Sequence, residues 1–259
     1  LLEDGNFAAV QAVIKTTLRD RQLVLLSASV GGETQQRAKE IMKEDALFVE
    51  GASQVGQVPD TISHNFILTA PREKFLMLRK VLAGEKPKKA MVFLNNPENI
   101  EVTVDKLNYH GIKAAGIYGQ VGKLDRKTAL DDFREGRVQV LVASDIGARG
   151  LDIPDVTHVI NLDIPEDPTH YLHRAGRCGR QGQTGCAIST VTPYDRRWIH
   201  KYEKVWGLRF AQKDMVYGKL TDSTKTKKDL EPRKSQPKEK AQPKGQAKSG
   251  KKLVTKKKK

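Results

Sequence analysis

Two arginines three residues apart, Arg177 and Arg180, close the run His173-Arg174-Ala175-Gly176-Arg177-Cys178-Gly179-Arg180. Guanidinium forks match phosphate oxygens two at a time and stay charged at any working pH. A loop holding two of them between glycines therefore suits a polyphosphate whose charge shifts during transfer. A solvated basic loop would use the same residue types. Upstream, however, stands Val142-Ala143-Ser144-Asp145-Ile146-Gly147-Ala148-Arg149-Gly150-Leu151-Asp152-Ile153-Pro154. The two runs together are far more specific than either alone.

The elements that must carry these runs are legible in the apolar periodicity. Phe7, Val10, Ile14 and Leu18 fall on one helical face, and Leu23 to Leu26 form an unbroken apolar run that reads as a buried parallel strand. A second helix is expected from about Thr34 to Lys43, then a short strand from Ala46 to Val49. The Gly/Gln/Pro-rich segment within residues 51–60 reads as a linker between domains 1–50 and 61–217. Beyond it, strands are expected near 63–69, 90–94, 114–117, 138–143, 157–162 and 186–190. Helices are expected near 71–82, 98–109, 123–135, 168–175 and 194–205, the second of them introduced by Asn96-Pro97-Glu98. Such alternation implies a parallel α/β sheet covered by helices on both faces. Ligands of such sheets gather beyond the carboxyl ends of the strands, where Ser29, Ser144 and Asp145 fall.

The chain has 259 residues, 38% of them hydrophobic, enough for a buried core. Its formal charge of +15 is unevenly spread: residues 222–259 hold 15 Lys or Arg against 4 Asp or Glu, a net of +11, leaving +4 for residues 1–221. That stretch has no aromatic residue, and the segment 218–259 is expected to be a disordered Lys-rich tail. It would add salt-sensitive affinity for nucleic acid, solubilise the chain or serve as a nuclear-targeting signal. Cys178 and Cys186 lack partners at zinc-ligand spacing, so neither a metal site nor a disulfide framework is expected, and a reducing intracellular compartment follows. No apolar run approaches membrane-spanning length, and a membrane is not an expected partner. Compartment is otherwise open among nucleus, cytoplasm and chloroplast.

Taken together, these residues make the chain resemble the C-terminal half of a DEAD-box ATP-dependent RNA helicase. Ser27-Ala28-Ser29 is similar to the Ser-Ala-Thr that ends the first RecA-like domain of that family, and Phe93-Leu94-Asn95-Asn96 resembles its motif IV. Tyr118-Gly119-Gln120 with Lys123 and Arg126 resembles the following His-Gly-Asp and Gln-x-x-Arg elements. Tyr118, Gln120 and Lys123 depart from the usual residues, whereas Arg126 is retained. Residues 142–154 resemble motif V and 173–180 motif VI. The family's phosphate loop and Asp-Glu-Ala-Asp motif would lie upstream of Leu1, so the chain is expected to be a fragment that begins just after the latter.

The resemblance implies a RecA-like fold, ATP bound between two such domains, and magnesium held mainly by the first. Arg177 and Arg180 would approach the γ-phosphate, and Asp152 would bind the ribose; a helix-paired arginine and a turn-capping aspartate are the plain alternatives. His173 would link motif VI to Ser27 or Ser29, or else be a buried, satisfied histidine. Asp145 would orient the network without touching substrate. RNA would be held through its backbone by Arg126, Ser144 and Gly150, with Asn95 or Asn96 nearby; a solvated charge on an exposed helix is the plain alternative for Arg126. The implied activity is the unwinding of short RNA duplexes or remodelling of ribonucleoprotein by a monomer. The rivals are a DNA helicase of the same superfamily and a noncatalytic RNA-binding or chaperone module.

Overall fold

In the computed structural model, residues 6–26, 32–49, 60–118 and 122–223 are described. Ser27, Ser29, Gly119, Gln120, nearly all of the expected linker and the segment from 224 onward lie outside them. Helices α1 (Phe7–Thr16) and α2 (Gly32–Ile41) come first. The expected strands at 23–26 and 46–49 do not form: both segments are irregular, and Leu26 and Leu47 are 91% and 81% exposed. A strand requires a neighbour for its N–H and C=O groups, and among the described residues none pairs with either run.

From Ile62 onward the alternation expected from the sequence is present. The order is β1 (Ile62–Leu68), a 3-10 turn at Pro71–Glu73, α3 (Lys74–Glu85), β2 (Ala90–Phe93), α4 (Glu98–Tyr109) and β3 (Ala114–Ile117). It continues with α5 (Lys123–Arg134), β4 (Val140–Ala143), a short α6 (Asp145–Ala148), β5 (His158–Asn161) and α7 (Pro168–Ala175). After a 3-10 turn at Arg180–Gly182 come β6 (Gly185–Val191), α8 (Arg196–Trp206), β7 (Phe210–Val216) and β8 (Lys219–Asp222). The strands form one sheet in the order β3-β4-β2-β5-β6-β1-β7-β8. All neighbours are parallel except β7 and β8, an antiparallel hairpin. β8 thus puts Lys219–Asp222 in the sheet, although the composition places the domain's end at 217 and these residues within a disordered tail; pairing with β7 supplies the backbone partners that composition does not reveal.

Helix boundaries follow local chemistry. At α4 the Asn96 Oδ1 accepts from the Glu98 N–H at 3.0 Å, the capping role its sequence suggests. At α7 the Asp167 carboxylate accepts from the Thr169 N–H at 2.7 Å, with Pro168 in the first turn, where its missing N–H costs nothing. Because successive strand residues face opposite ways, the four fully buried residues of β2 divide between two cores. Ala90 and Val92 pack with Leu78, Val81, Ile100 and Leu107 of α3 and α4. Met91 and Phe93 pack on the other face with Leu130, Phe133, Tyr171 and Tyr202 of α5, α7 and α8. The middle of the sheet is therefore rigid, and its strand ends hold fixed positions.

Candidate functional site

The buried centre of the site is Arg174, which the sequence offers only as one member of a motif. It sits on α7, 1% exposed, with all five N–H donors engaged. Its Nε and Nη2 hold the two Asp145 oxygens at 2.6 and 2.7 Å. Nη2 also reaches Asn95 Oδ1 at 2.8 Å, and Nη1 reaches the Asp163 carbonyl at 2.7 Å and Asn161 Oδ1 at 3.4 Å. The guanidinium lies over the Phe93 ring, 5.2 Å from its centroid. One side chain thus ties α7 to the ends of β2, β4 and β5. A buried charge is tolerable only with such complete satisfaction.

Arg177 and Arg180, on the chain leaving α7, are held differently. Arg177 Nη1 donates to the Leu151 carbonyl at 2.6 Å and its Nε to the His173 carbonyl at 3.2 Å. Its pKa is lowered, first by desolvation and then by the Arg180 charge. Arg180 donates to the Gly176 carbonyl at 3.0 Å and to Asp152 Oδ1 at 2.5 Å, and the Asp152 side chain is 89% exposed. Exposed pairs of this kind contribute about 0–1 kcal/mol, so the Arg180 fork is easily redirected. The structure brings Arg177, Arg180 and Asp152 together. Between the two arginines, Gly179 has φ +67°, and a Cβ there would meet Ile62 Cγ1 at 2.6 Å, so the loop seats against β1 only with glycine.

His173 lies exposed on α7, not buried as its structural alternative requires. With Arg149, His170, Arg177 and Asp145 it lines a depression of about 260 Å³ beside Arg174. Its pKa is lowered by desolvation against that wall and then by the charges of Arg177, His170 and Arg149. Its expected partners Ser27 and Ser29 lie outside the described residues.

The RNA candidates gather at the other end of the 144–152 segment. Arg126 Nη2 donates to the Gly147 carbonyl at 2.9 Å. Ser144 is 4% exposed, and its Oγ accepts from the Gly147 N–H at 3.2 Å, which caps α6. Gly150 has φ +71°, with open space where a Cβ would point. Asn95 and Asn96 are both exposed; the Asn95 side chain is occupied on both sides, by Arg174 and by the Ile164 carbonyl at 3.0 Å, whereas Asn96 is engaged only by Glu98 of its own turn, its Oδ1 accepting from the Glu98 N–H and its Nδ2 lying 3.5 Å from the Glu98 carboxylate. The signal for Arg174 and Asn95 as scaffold was out of reach, because the bond between them spans 79 residues and depends on sheet order.

Among the described residues no group of three or more His, Cys, Asp or Glu is placed to hold a metal ion. Both cysteines are free, and burial pushes the Cys178 thiol up to about 12. No described helix is long and apolar enough to cross a membrane.

Residues 73–182 match the family described as "Helicase conserved C-terminal domain". The DEAD-box ATP-dependent RNA helicase CshC of Bacillus cereus is 36% identical over 238 residues, which cover 92% of this chain and 59% of that protein. This chain therefore spans about three-fifths of that relative's length. Among solved structures, S. cerevisiae Dbp5 bound to RNA and ADP BeF3 is similar with a TM-score of 0.73 and 29% identity, over 82% of this chain and 56% of that one. E. coli DEAD-box protein SrmB, bound to regulator of ribonuclease activity A, is 30% identical with a TM-score of 0.55, over 68% of this chain and 98% of that one.

Proposed function

The chain belongs to the DEAD-box RNA helicase family, and from that premise we propose that its parent protein is an ATP-dependent RNA helicase. In this reading residues 1–50 end the first RecA-like domain, 51–60 link it to the second, and the second begins at 61 and includes β8, past the end at 217 that the composition suggests. ATP-driven closure of the two would separate short RNA duplexes or remodel ribonucleoprotein. The observation that carries it is the convergence of Arg177, Arg180 and Asp152 on a loop fixed from beneath by Arg174.

The donor set fits the anionic and ribose parts of ATP. Arg177 and Arg180 exchange a carbonyl and a weak carboxylate partner for the γ-phosphate, and their fixed positive charge stabilises the negative charge spread over its oxygens during transfer. Asp152, released from Arg180, accepts from a ribose hydroxyl. Magnesium, when bound, would neutralise the phosphate charge, and the family resemblance places it mainly in the first domain. Arg174 and Asp145 position the loop without touching substrate, and His173 relays its position toward Ser27 or Ser29. On the RNA side, Arg126, the Gly150 amide and Asn96 meet the sugar-phosphate backbone, while Ser144 and Asn95 shape the turns that present them. Backbone contacts imply little sequence selectivity.

The test is ATP hydrolysis by the full-length protein with matched RNA and DNA strands. Stimulation by RNA alone is expected; equal stimulation by DNA supports the DNA-helicase rival, and none by either supports the noncatalytic one. The 259-residue chain by itself, which carries no phosphate-loop motif, is expected to hydrolyse no ATP.

A further inference from the structure

A second feature, beyond the carboxyl end of β6, has no part in this scheme. Lys201, Trp198, Arg197 and Tyr194 form a continuous stack. Lys201 Nζ lies 5.1 Å from the Trp198 ring, and the Arg197 guanidinium lies 4.6 Å from Trp198 and 4.1 Å from Tyr194. Arg197 covers one face of the Tyr194 ring, and that residue is nonetheless 70% exposed. The stack is held still from below. Ile199 and Tyr202 anchor the same helix in the core, and Lys201 Nζ donates to the Glu166 carbonyl at 3.3 Å. Thr192 and Asp195 close the preceding turn reciprocally, by bonds of 2.7 and 3.2 Å, and Pro193 fixes the backbone just before Tyr194.

We propose that the outer face of Tyr194 is a stacking platform for an unpaired base of a bound RNA strand, next to the backbone-binding residues already described. Rigid aromatic rings beside cations bind single strands because every base has a π-face and every linker a phosphate. Here Arg197 and Lys201 supply the charge, while the one carboxylate in the turn, Asp195, is engaged by Thr192. Position agrees. Tyr194 follows β6 as Asn95 follows β2 and Ser144 follows β4, all at the same end of parallel strands. Only β5 separates β2 from β6, so the strand ends are on the order of 10 Å apart, within reach of a single strand continuing past Asn96. The proposal rests on the RNA-binding reading above.

The test compares binding of the 259-residue chain to a short core RNA, to the same RNA extended at its 5′ or 3′ end, and to extensions with abasic positions. One extension is expected to tighten binding about 5- to 100-fold. That gain is expected to disappear with abasic positions and in Tyr194→Ala, to persist in Tyr194→Phe, and to leave core-RNA affinity and thermal midpoint unchanged. A gain that survives Tyr194→Ala or abasic substitution would overturn the proposal. So would intact core binding with no gain from either extension, which would assign the stack to a protein partner. Failure to bind the core RNA itself would instead bring down the RNA reading and this site with it.

Discussion

Arg174 stands three residues before Arg177 and six before Arg180, yet the two regions they occupy are opposites. Arg174 is buried, with five donors matched to five acceptors drawn from three strand ends. Arg177 and Arg180 borrow backbone carbonyls and, for Arg180, a carboxylate that is almost fully in solvent. The same side chain is a rivet where its partners are desolvated and a tool where they are replaceable. What distinguishes them is the strength of the existing partners, because a group committed to a buried bidentate pair has nothing left to offer a phosphate.

That contrast can be broken in order of expected effect. Arg180→Ala in the full-length protein is expected to lower ATP turnover about 10³- to 10⁵-fold, the range found for such arginines in other nucleotide hydrolases, with an unchanged urea midpoint. Arg174→Ala strands the Asp145 charge and is expected to destabilise the fold by about 3–5 kcal/mol in urea titration. Arg174→Lys should recover little of it, because an ammonium cannot span acceptors set out for a planar fork. A midpoint unmoved by Arg174→Ala would erase the distinction.

The core beneath α7 supplies a pH test. His64 is 8% exposed, its Nδ1 lies 2.6 Å from the Tyr171 hydroxyl, and burial lowers its pKa from 6.5 to about 4. The unfolded chain therefore binds the proton better. Stability from this group is complete above pH 6.5 and is lost as pH falls toward 4, at up to about 1.4 kcal/mol per pH unit and about 3 kcal/mol in all. Replacing it by His64→Gln is expected to flatten that part of the stability profile; an unchanged slope would assign the loss to other groups. The smallest effect is expected for Asp152→Ala, under about 1 kcal/mol in the same titration, because its carboxylate is almost fully in solvent.

Much of this was readable in the chain. The helix at 168–175 and the strand at 114–117 lie where periodicity and capping put them, and the segments from Ile62 to Trp206 alternate as expected. The runs at 23–26 and 46–49 misled because apolar content signals burial against something, and no strand among the described residues lies beside either. The β7–β8 hairpin was missed for the converse reason: Phe210–Val216 lies at the half-buried margin of the sheet, where Gln212, Lys213 and Asp214 blur the apolar signal. At the site, residue types marked Arg177, Arg180 and Asp152 directly. The scaffold role of Arg174 and Asn95 depends on β2, β4 and β5 being neighbours, which local sequence does not encode.

The most direct test of the divided arginines is to resolve the Arg180→Ala loss into binding and chemistry, by measuring the ATP dissociation constant and the maximal RNA-stimulated turnover of the same full-length variant. Turnover is expected to collapse while the dissociation constant stays within about threefold of the unsubstituted protein, as when an interaction is made only in the transition state. Equal losses in both would show Arg180 to be an ordinary binding contact and would contradict the proposed role.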